Sequence, residues 1–351
     1  MNIVYNARHA AHAPQQEFFR GRLVPAVDRP ERAAQLWQAL QHSGLGTERP
    51  LRDHGLAPLE RVHSPAYLRF LQGAYAQWQA LGGTGEAFPA VWPVRTLRHD
   101  IEPRNFSGQL GLYSMDNGTP LTAGAWEAAY WGAQAALSGL DALAGQGAGA
   151  SAYVLTRPPG HHAGRDFFGG YCFVNHAAVA AQAALDGGAA RVAVLDLDYH
   201  HGNGTQALFY DRSDVLFVSL HGDPLTEYPF YLGHADERGE GAGLGCNLNL
   251  PLAAGTSNAD WLVALREALA CVSAYAPELL VVSLGLDTSA DDPICSFSLG
   301  TDEFTAIGRS LAALGLPCLL VQEGGYAVEA VGAHLLAVLG GLARPRQGAV
   351  A

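Results

Sequence analysis

The chain contains no lysine, so all of its 21 basic residues are arginine. That absence excludes Schiff-base catalysis, a pyridoxal-phosphate lysine and a Walker A phosphate loop. Positive charge is scarce as well, because 33 acidic residues leave a net charge of −12. Such a balance disfavours nucleic acid, whose phosphates demand a basic surface, and is compatible with cationic partners. The five cysteines, Cys172, Cys246, Cys271, Cys295 and Cys318, are odd in number, scattered, and form no CxxC pair. Neither a disulfide framework nor a thiolate zinc site is indicated, and reduced, buried thiols are expected. No apolar run approaches the roughly 18 to 20 residues of a membrane helix, and the start, MNIVYNARHA, lacks the pattern of a secretory signal. The reading is a soluble, cytoplasmic protein without a membrane partner.

What is present is a hydrophobic content of 49%, spread evenly enough to suggest one large α/β domain over residues 1–351. A short strand near Asn2–Tyr5 leads to a helix expected to start at Asp28, before Pro30, and to stop at Gly44. Ser64-Pro65 starts a second helix, closed by Gly82-Gly83. Residues 82–120 then break every periodicity with scattered glycine and proline, and Trp92, Phe106 and Tyr113 favour an ordered lid or interface there. From Thr122 onward an Ala-rich helix is followed by strands near 151–156, 191–197, 214–220, 279–286 and 317–322, most of them separated by helical segments. This alternation, with continuous apolar runs such as VAVLDL and LLVVSLGL, predicts a doubly wound, mainly parallel sheet covered by helices on both faces.

Ligands of open parallel sheets bind beyond the carboxyl ends of the strands. The chemically active residues fall there. Residues 196–202 read DLDYHHG, placing Asp196, Asp198 and His200 at alternate positions just past an apolar run. Two carboxylates and an imidazole suit a divalent metal, and with Asp287, after the 279–286 strand, Asp198 and His200 would give three protein ligands and an open position for water. Asp287 alone fits a helix cap equally well. His161-His162 follows the stiff Arg157-Pro158-Pro159-Gly160 stretch, where an imidazole could serve as general base. Tandem histidines are common by chance, and His201 could simply support its turn. Tyr326, after Gly324-Gly325, could swing a phenol toward a developing oxyanion, although most tyrosines only pack.

Together, RPPGHHAGRDFFGGYCFVNHAAVAAQ, VAVLDLDYHHGNGTQALFY, VSLHGDP, VVSLGLDTSADDP and VQEGGY closely resemble the histone deacetylase superfamily, especially its bacterial acetylpolyamine amidohydrolase branch. RVHSPAYL and GQLGLYSMDNGTPLTAGAWEAA extend the likeness over most of the chain. The resemblance implies the arginase/deacetylase α/β fold and zinc-dependent hydrolysis of an N-acetyl amide to acetate and a free amine. By motif, Asp198, His200 and Asp287 would hold zinc, for which ferrous iron is an alternative. His162 would be general base and later acid, His161 its electrostatic partner oriented by Asp196, and Tyr326 would polarise the acetyl carbonyl. A structural potassium is implied at Asp196, Asp198, His200, Ser219 and Leu220, largely through backbone carbonyls. Tyr171 and Tyr228 sit where the family has the aromatic walls of a narrow tunnel, with ordinary packing as the other reading. Asn203 stands where some relatives carry an aspartate beside the second histidine.

The resemblance also points to small cationic acetylated amines, acetylated polyamines above all, and to a homodimer whose 82–120 loop shapes the mouth or the dimer interface. Carboxylates facing distal ammonium groups are sought at Asp116, and also at Asp100, Glu102, Asp291 and Asp292. Ser107 and Gly118 stand where the polyamine branch has acidic residues, which leaves acetyl-lysine peptides as an alternative substrate. A non-catalytic zinc-binding interaction module would have lost a ligand, the tandem histidines or the tyrosine, and all are present.

Overall fold

A computed structural model describes residues 1–343. The elements run β1 (Asn2–Tyr5), β2 (Gln16–Phe19), β3 (Arg22–Pro25), α1 (Pro30–Ser43), β4 (Thr47–Glu48), α2 (Ala57–Glu60), α3 (Pro65–Ala80), α4 (Phe106–Leu112) and α5 (Ala125–Leu143). They continue as β5 (Ser151–Leu155), α6 (His176–Asp186), β6 (Val192–Asp196), α7 (Asn203–Phe209), β7 (Val215–Gly222), β8 (Asn247–Leu252), α8 (Asn258–Tyr275), β9 (Leu279–Leu284), α9 (Thr301–Leu314), β10 (Cys318–Gln322) and α10 (Val331–Ala343). Eight strands form one sheet in the order β4-β1-β5-β10-β9-β6-β7-β8, and every neighbouring pair is parallel. The hairpin β2-β3 stands apart as a separate antiparallel pair.

Side chains alternate across each strand, and the apolar runs therefore feed both faces. Val4, Val154, Val194, Val281 and Val321 join one core with residues of α3, α5 and α6. Ile3, Leu155, Leu195, Val282 and Leu320 join the other with residues of α1, α8, α9 and α10. The doubly wound sheet expected from the sequence is this one. β5, β10, β9 and β6 are consecutive neighbours, so the turns that follow them share one rim.

Several local expectations change. Ser64 caps α3 by accepting from the Tyr67 N–H, and Gly44 ends α1 in the left-handed region at φ +66°. Asp28, however, caps nothing: α1 is preceded by Arg29, which makes no side-chain cap. Asp28 is buried instead between two arginines, 2.7 Å from Arg32 Nε and 3.0 Å from Arg157 Nε, and both guanidiniums are wholly buried. Within 82–120 the chain forms α4, and Phe106 and Tyr113 enter the core. β8 has no counterpart among the expected strands because NLNLPL mixes asparagine and proline with alternating leucine, which weakens a strand signal.

Burial opposes the charge of Asp28, but Arg157 and then Arg32 outweigh it and hold the carboxyl at about 2. A depressed carboxylate contributes stability that is complete above its unfolded value of about 3.9 and is lost as pH falls toward 2. Removing Asp28 would strand two buried guanidiniums, so Asp28→Ala should cost about 3–5 kcal/mol. Denaturant unfolding at neutral pH checks this; a cost below about 1 kcal/mol, the scale of a surface pair, would refute the buried-cluster account.

Candidate active site

The shared rim gathers four turns. After β6 come Asp198 and His200, after β9 comes Asp287, after β5 come His161 and His162, and after β10 come Glu323 and Tyr326. One ligand atom from each of Asp198, His200 and Asp287 lies within 4.8 Å of the other two. His200 Nδ1 is 3.5 Å from Asp198 Oδ1 and 3.6 Å from Asp287 Oδ2. Asp198 Oδ2 accepts the Gly324 N–H at 2.8 Å, and Asp287 Oδ1 accepts the Tyr199 N–H at 3.0 Å. Asp287 Oδ2 is buried with no hydrogen-bond partner.

The electrostatics are those of a cluster built around a cation. Burial, and then the charge of Asp198, pushes the Asp287 carboxyl up to about 8. Burial works against the charge of His200, yet the two carboxylates raise it to about 9. Asp198 is held far below the ordinary range, its burial outweighed by His161 and His200. A Cβ at Gly324 would come within 2.5 Å of Asp287 Oδ2 and 2.6 Å of Asp198 Oδ2, so glycine keeps this space open. An orphaned buried oxygen, a convergent carboxylate–imidazole–carboxylate set and the clearance at Gly324 all fit a divalent ion. His161, Cys172 and Glu323 also cluster, but their atoms are engaged. Glu323 accepts from the Gly160 and His161 N–H groups and the Ser283 hydroxyl, while His161 Nδ1 pairs with Asp196.

The tandem histidines stand with ring centroids 4.0 Å apart and differ in charge. Burial opposes protonation of His161, but Asp196 at 2.9 Å and Asp198 raise it to about 10. His162 is driven well below its ordinary value by burial and then by the charges of His161 and His200. Its Nδ1 lies 2.7 Å from Asn203 Oδ1, an acceptor only, so Nδ1 carries the proton and Nε2 keeps a lone pair. Two neighbouring groups pushed to opposite protonation states are the usual basis for dividing acid and base roles.

Around them stand aromatic rings. Tyr228 packs edge-on to His162 at 5.0 Å, and Tyr171 packs edge-on to Tyr326 at 5.7 Å. The turn carrying Tyr171 passes so close over His162 that a Cβ at Gly170, φ +53°, would collide with the imidazole. Tyr171 donates to Glu17 at 3.0 Å and Tyr228 to Asp116 at 2.7 Å. Asp116 is fully engaged, since it also accepts from Gly118, Thr119 and Gly170 N–H groups. Asp292 is likewise turned inward, accepting from Tyr326 N–H at 2.7 Å. Asp100 and Glu102 lie exposed against Arg98 and Gln109, and Asp291 lies near His334. Glu17, Arg32 and Arg157 belong to this neighbourhood without a sequence signal of their own, apart from the place of Arg157 at the head of RPPGHH. Among the potassium candidates, Asp196 and Ser219 are cross-strand register partners, Leu220 is fully buried, and the Ser219 hydroxyl meets His221 at 2.8 Å.

Residues 26–342 match the histone deacetylase domain. The chain belongs to the histone deacetylase family. Acetylpolyamine amidohydrolase 2 of Pseudomonas aeruginosa is 50% identical to it over 97% of this chain and 98% of that one. The acetylpolyamine amidohydrolase of Mycoplana ramosa is 44% identical over 98% of this chain and all of its own length, 100%. The crystal structure of an acetylpolyamine aminohydrolase from Burkholderia pseudomallei superposes with a TM-score of 0.92 at 42% identity, covering 97% of this chain and 98% of that one. These comparisons place the family member in its acetylpolyamine amidohydrolase branch, with the arginase/deacetylase fold and the chemistry of a hydrolytic deacetylase. The family implies a divalent metal.

Asn203→Asp would set a carboxylate beside His162 Nδ1 and raise its pKa, because an adjacent negative charge favours the protonated ring. The protonated ring cannot take a proton, so the acid limb of the kcat/KM profile should move to higher pH. An unchanged pH–rate profile would show that the neutral partner does not tune this imidazole.

Proposed function

We propose that the protein is a zinc-dependent amidohydrolase that removes acetyl groups from N-acetylated polyamines or similar small cationic amines and releases acetate. The observation that carries this reading is the convergence of three ligand atoms within 4.8 Å of one another, with the His162 ring 6.1 Å from that of His200 and its Nδ1 held by Asn203. An ion held by Asp198, His200 and Asp287 would lower the pKa of a water and polarise the acetyl carbonyl. His162 Nε2 takes the proton of the attacking water and returns it to the departing amine nitrogen. His161, kept charged by Asp196, supplies a positive field beside the reacting centre. Burial raises the Tyr326 phenol well above its ordinary value, so it remains a hydrogen-bond donor to the carbonyl oxygen throughout.

Tyr171 and Tyr228 form the walls along the alkyl chain, and Asp116 acts on substrate through Tyr228, whose hydroxyl it fixes. A potassium ion at Asp196, Asp198, His200, Ser219 and Leu220 would bind mainly through backbone oxygens. Dimerisation through the 82–120 segment is supported by its exposed apolar residues Val91, Val94, Leu97 and Ile101. A cytoplasmic setting is supported by five cysteines that are all free, and no helix of the described residues is long and apolar enough to cross a membrane.

N-acetylputrescine and N-acetylcadaverine should be hydrolysed faster than an acetyl-lysine peptide; a preference for the peptide by an order of magnitude would move the assignment to the protein-deacetylase side. Tyr326→Phe should fold and hold metal while losing about 10²–10³ in kcat, the usual effect of removing one oxyanion donor. Turnover comparable to the parent enzyme would remove the phenol from the reaction.

A further inference from the structure

Asp292 has no part in the chemistry described above, and as one of a run of two acids it looks like a candidate for a substrate's ammonium group. Its surroundings exclude that use. The side chain is buried, and both oxygens are engaged by backbone: Oδ2 accepts the Tyr326 N–H at 2.7 Å and Oδ1 accepts the Ile294 N–H at 3.1 Å. The Asp292 N–H in turn donates to the Ser289 carbonyl at 3.1 Å. One carboxylate therefore joins the loop after Asp287 to the residue that carries the phenol.

The segment it holds needs holding. Gly325 sits at φ +128°, a region that constrains no glycine by itself, so the direction in which Tyr326 leaves the turn is set by outside contacts. Upstream, the turn is secured by Arg32 Nη1 on the Glu323 carbonyl at 2.9 Å, Gln322 Nε2 on the Gly324 carbonyl at 2.7 Å, and Asp198 on the Gly324 N–H. Those bonds all lie on the near side of Gly325. Past that glycine, the bond to Asp292 fixes the backbone of Tyr326 itself.

We infer that Asp292 is a positioning residue that sets the aim of the Tyr326 phenol by holding its backbone N–H. The inference rests on the reading that this phenol serves the acyl group. Loss of the bond would leave the chain folded and the metal ligands in place while the hydroxyl drifts from its productive position. Displacements on the order of 1 Å can cost about 100-fold in rate. In Asp292→Asn a single carbonyl oxygen must serve two donors. The local Ile294 bond competes with Tyr326, and the introduced amide NH₂ then faces an N–H.

The test is a double-mutant cycle in the zinc-loaded enzyme with N-acetylputrescine, using Asp292→Asn, Tyr326→Phe and the pair. Asp292→Asn should lower kcat by roughly 10- to 100-fold with KM, zinc content and thermal midpoint close to the parent. In the Tyr326→Phe background the same change should have almost no further effect, because its target is already gone. Asp292→Ala should behave alike and more severely; should it fail to fold, the isosteric amide carries the comparison. An equal fold-loss in both backgrounds, or a loss that tracks released zinc, would make Asp292 a support of Asp287 or of the fold and overturn the proposal. Unchanged kcat in Asp292→Asn would overturn it directly. If Tyr326→Phe alone turned over like the parent, the reading of the phenol would fail first and take this inference with it, a result distinguishable from the other two.

Discussion

Two carboxylates, Asp198 and Asp287, are buried with ligand atoms less than 5 Å apart, and most of the neighbouring structure manages their repulsion. Without compensation one of them would hold its proton, which is the direction burial and Asp198 impose on Asp287. The protein compensates with imidazole from His200 and with backbone N–H groups from Tyr199 and Gly324. The result is a buried carboxylate–imidazole–carboxylate set whose chemistry suits a divalent ion. A site held in that state costs stability, so the fold must be rigid elsewhere. The fully buried strands β6, β9 and β10 and the wholly buried Asp28–Arg32–Arg157 cluster supply that rigidity.

The same field separates the two histidines. His161 has carboxylates on both sides and is charged; His162, a neighbour in the chain, has a neutral amide behind it and the charged His161 beside it. The base role proposed for His162 therefore rests on environment, because the residue type is identical at the two positions. Asn203 matters here as an uncharged acceptor: it fixes the tautomer without restoring the basicity that burial removes.

The sheet and the Asp198–His200–Asp287 cluster are legible in the sequence because they rest on periodic or clustered signals. Apolar runs mark β5, β6, β7, β9 and β10, and the DLDYHHG spacing points to Asp198 and His200; Asp196, expected on the same strand face, ends β6 and pairs with His161 instead of joining their cluster. The failures have a common physical cause. Asp28 reads as a helix cap since an acid before Pro30 is the ordinary capping pattern, and only the distant Arg157 reveals a buried ion cluster. β8 was invisible because its alternation passes through Asn247, Asn249 and Pro251. Asp292 reads as a mouth carboxylate for a substrate's distal ammonium group, because nothing local says whether its oxygens meet a ligand or an N–H from another turn.

That last confusion is general in this site, since its acids mostly serve as clamps between turns. Glu323, after β10, holds the Gly160 and His161 N–H groups after β5; Asp198, after β6, holds Gly324 after β10; Asp287, after β9, holds Tyr199 after β6. Asp292 returns from the β9 loop to Tyr326, and Asp116 ties Gly170 to Tyr228. Apart from the Tyr228 hydroxyl on Asp116, each of these bonds brings a backbone N–H to a buried carboxyl group, and where the carboxyl is ionised such a bond is about twice as strong as a neutral one. Backbone donors cannot rotate away as side chains can, so a linked set of them fixes four turns relative to one another. A rim of loops thereby acquires the precision of the sheet beneath it, and an acidic residue is better judged here by what donates to it than by its charge.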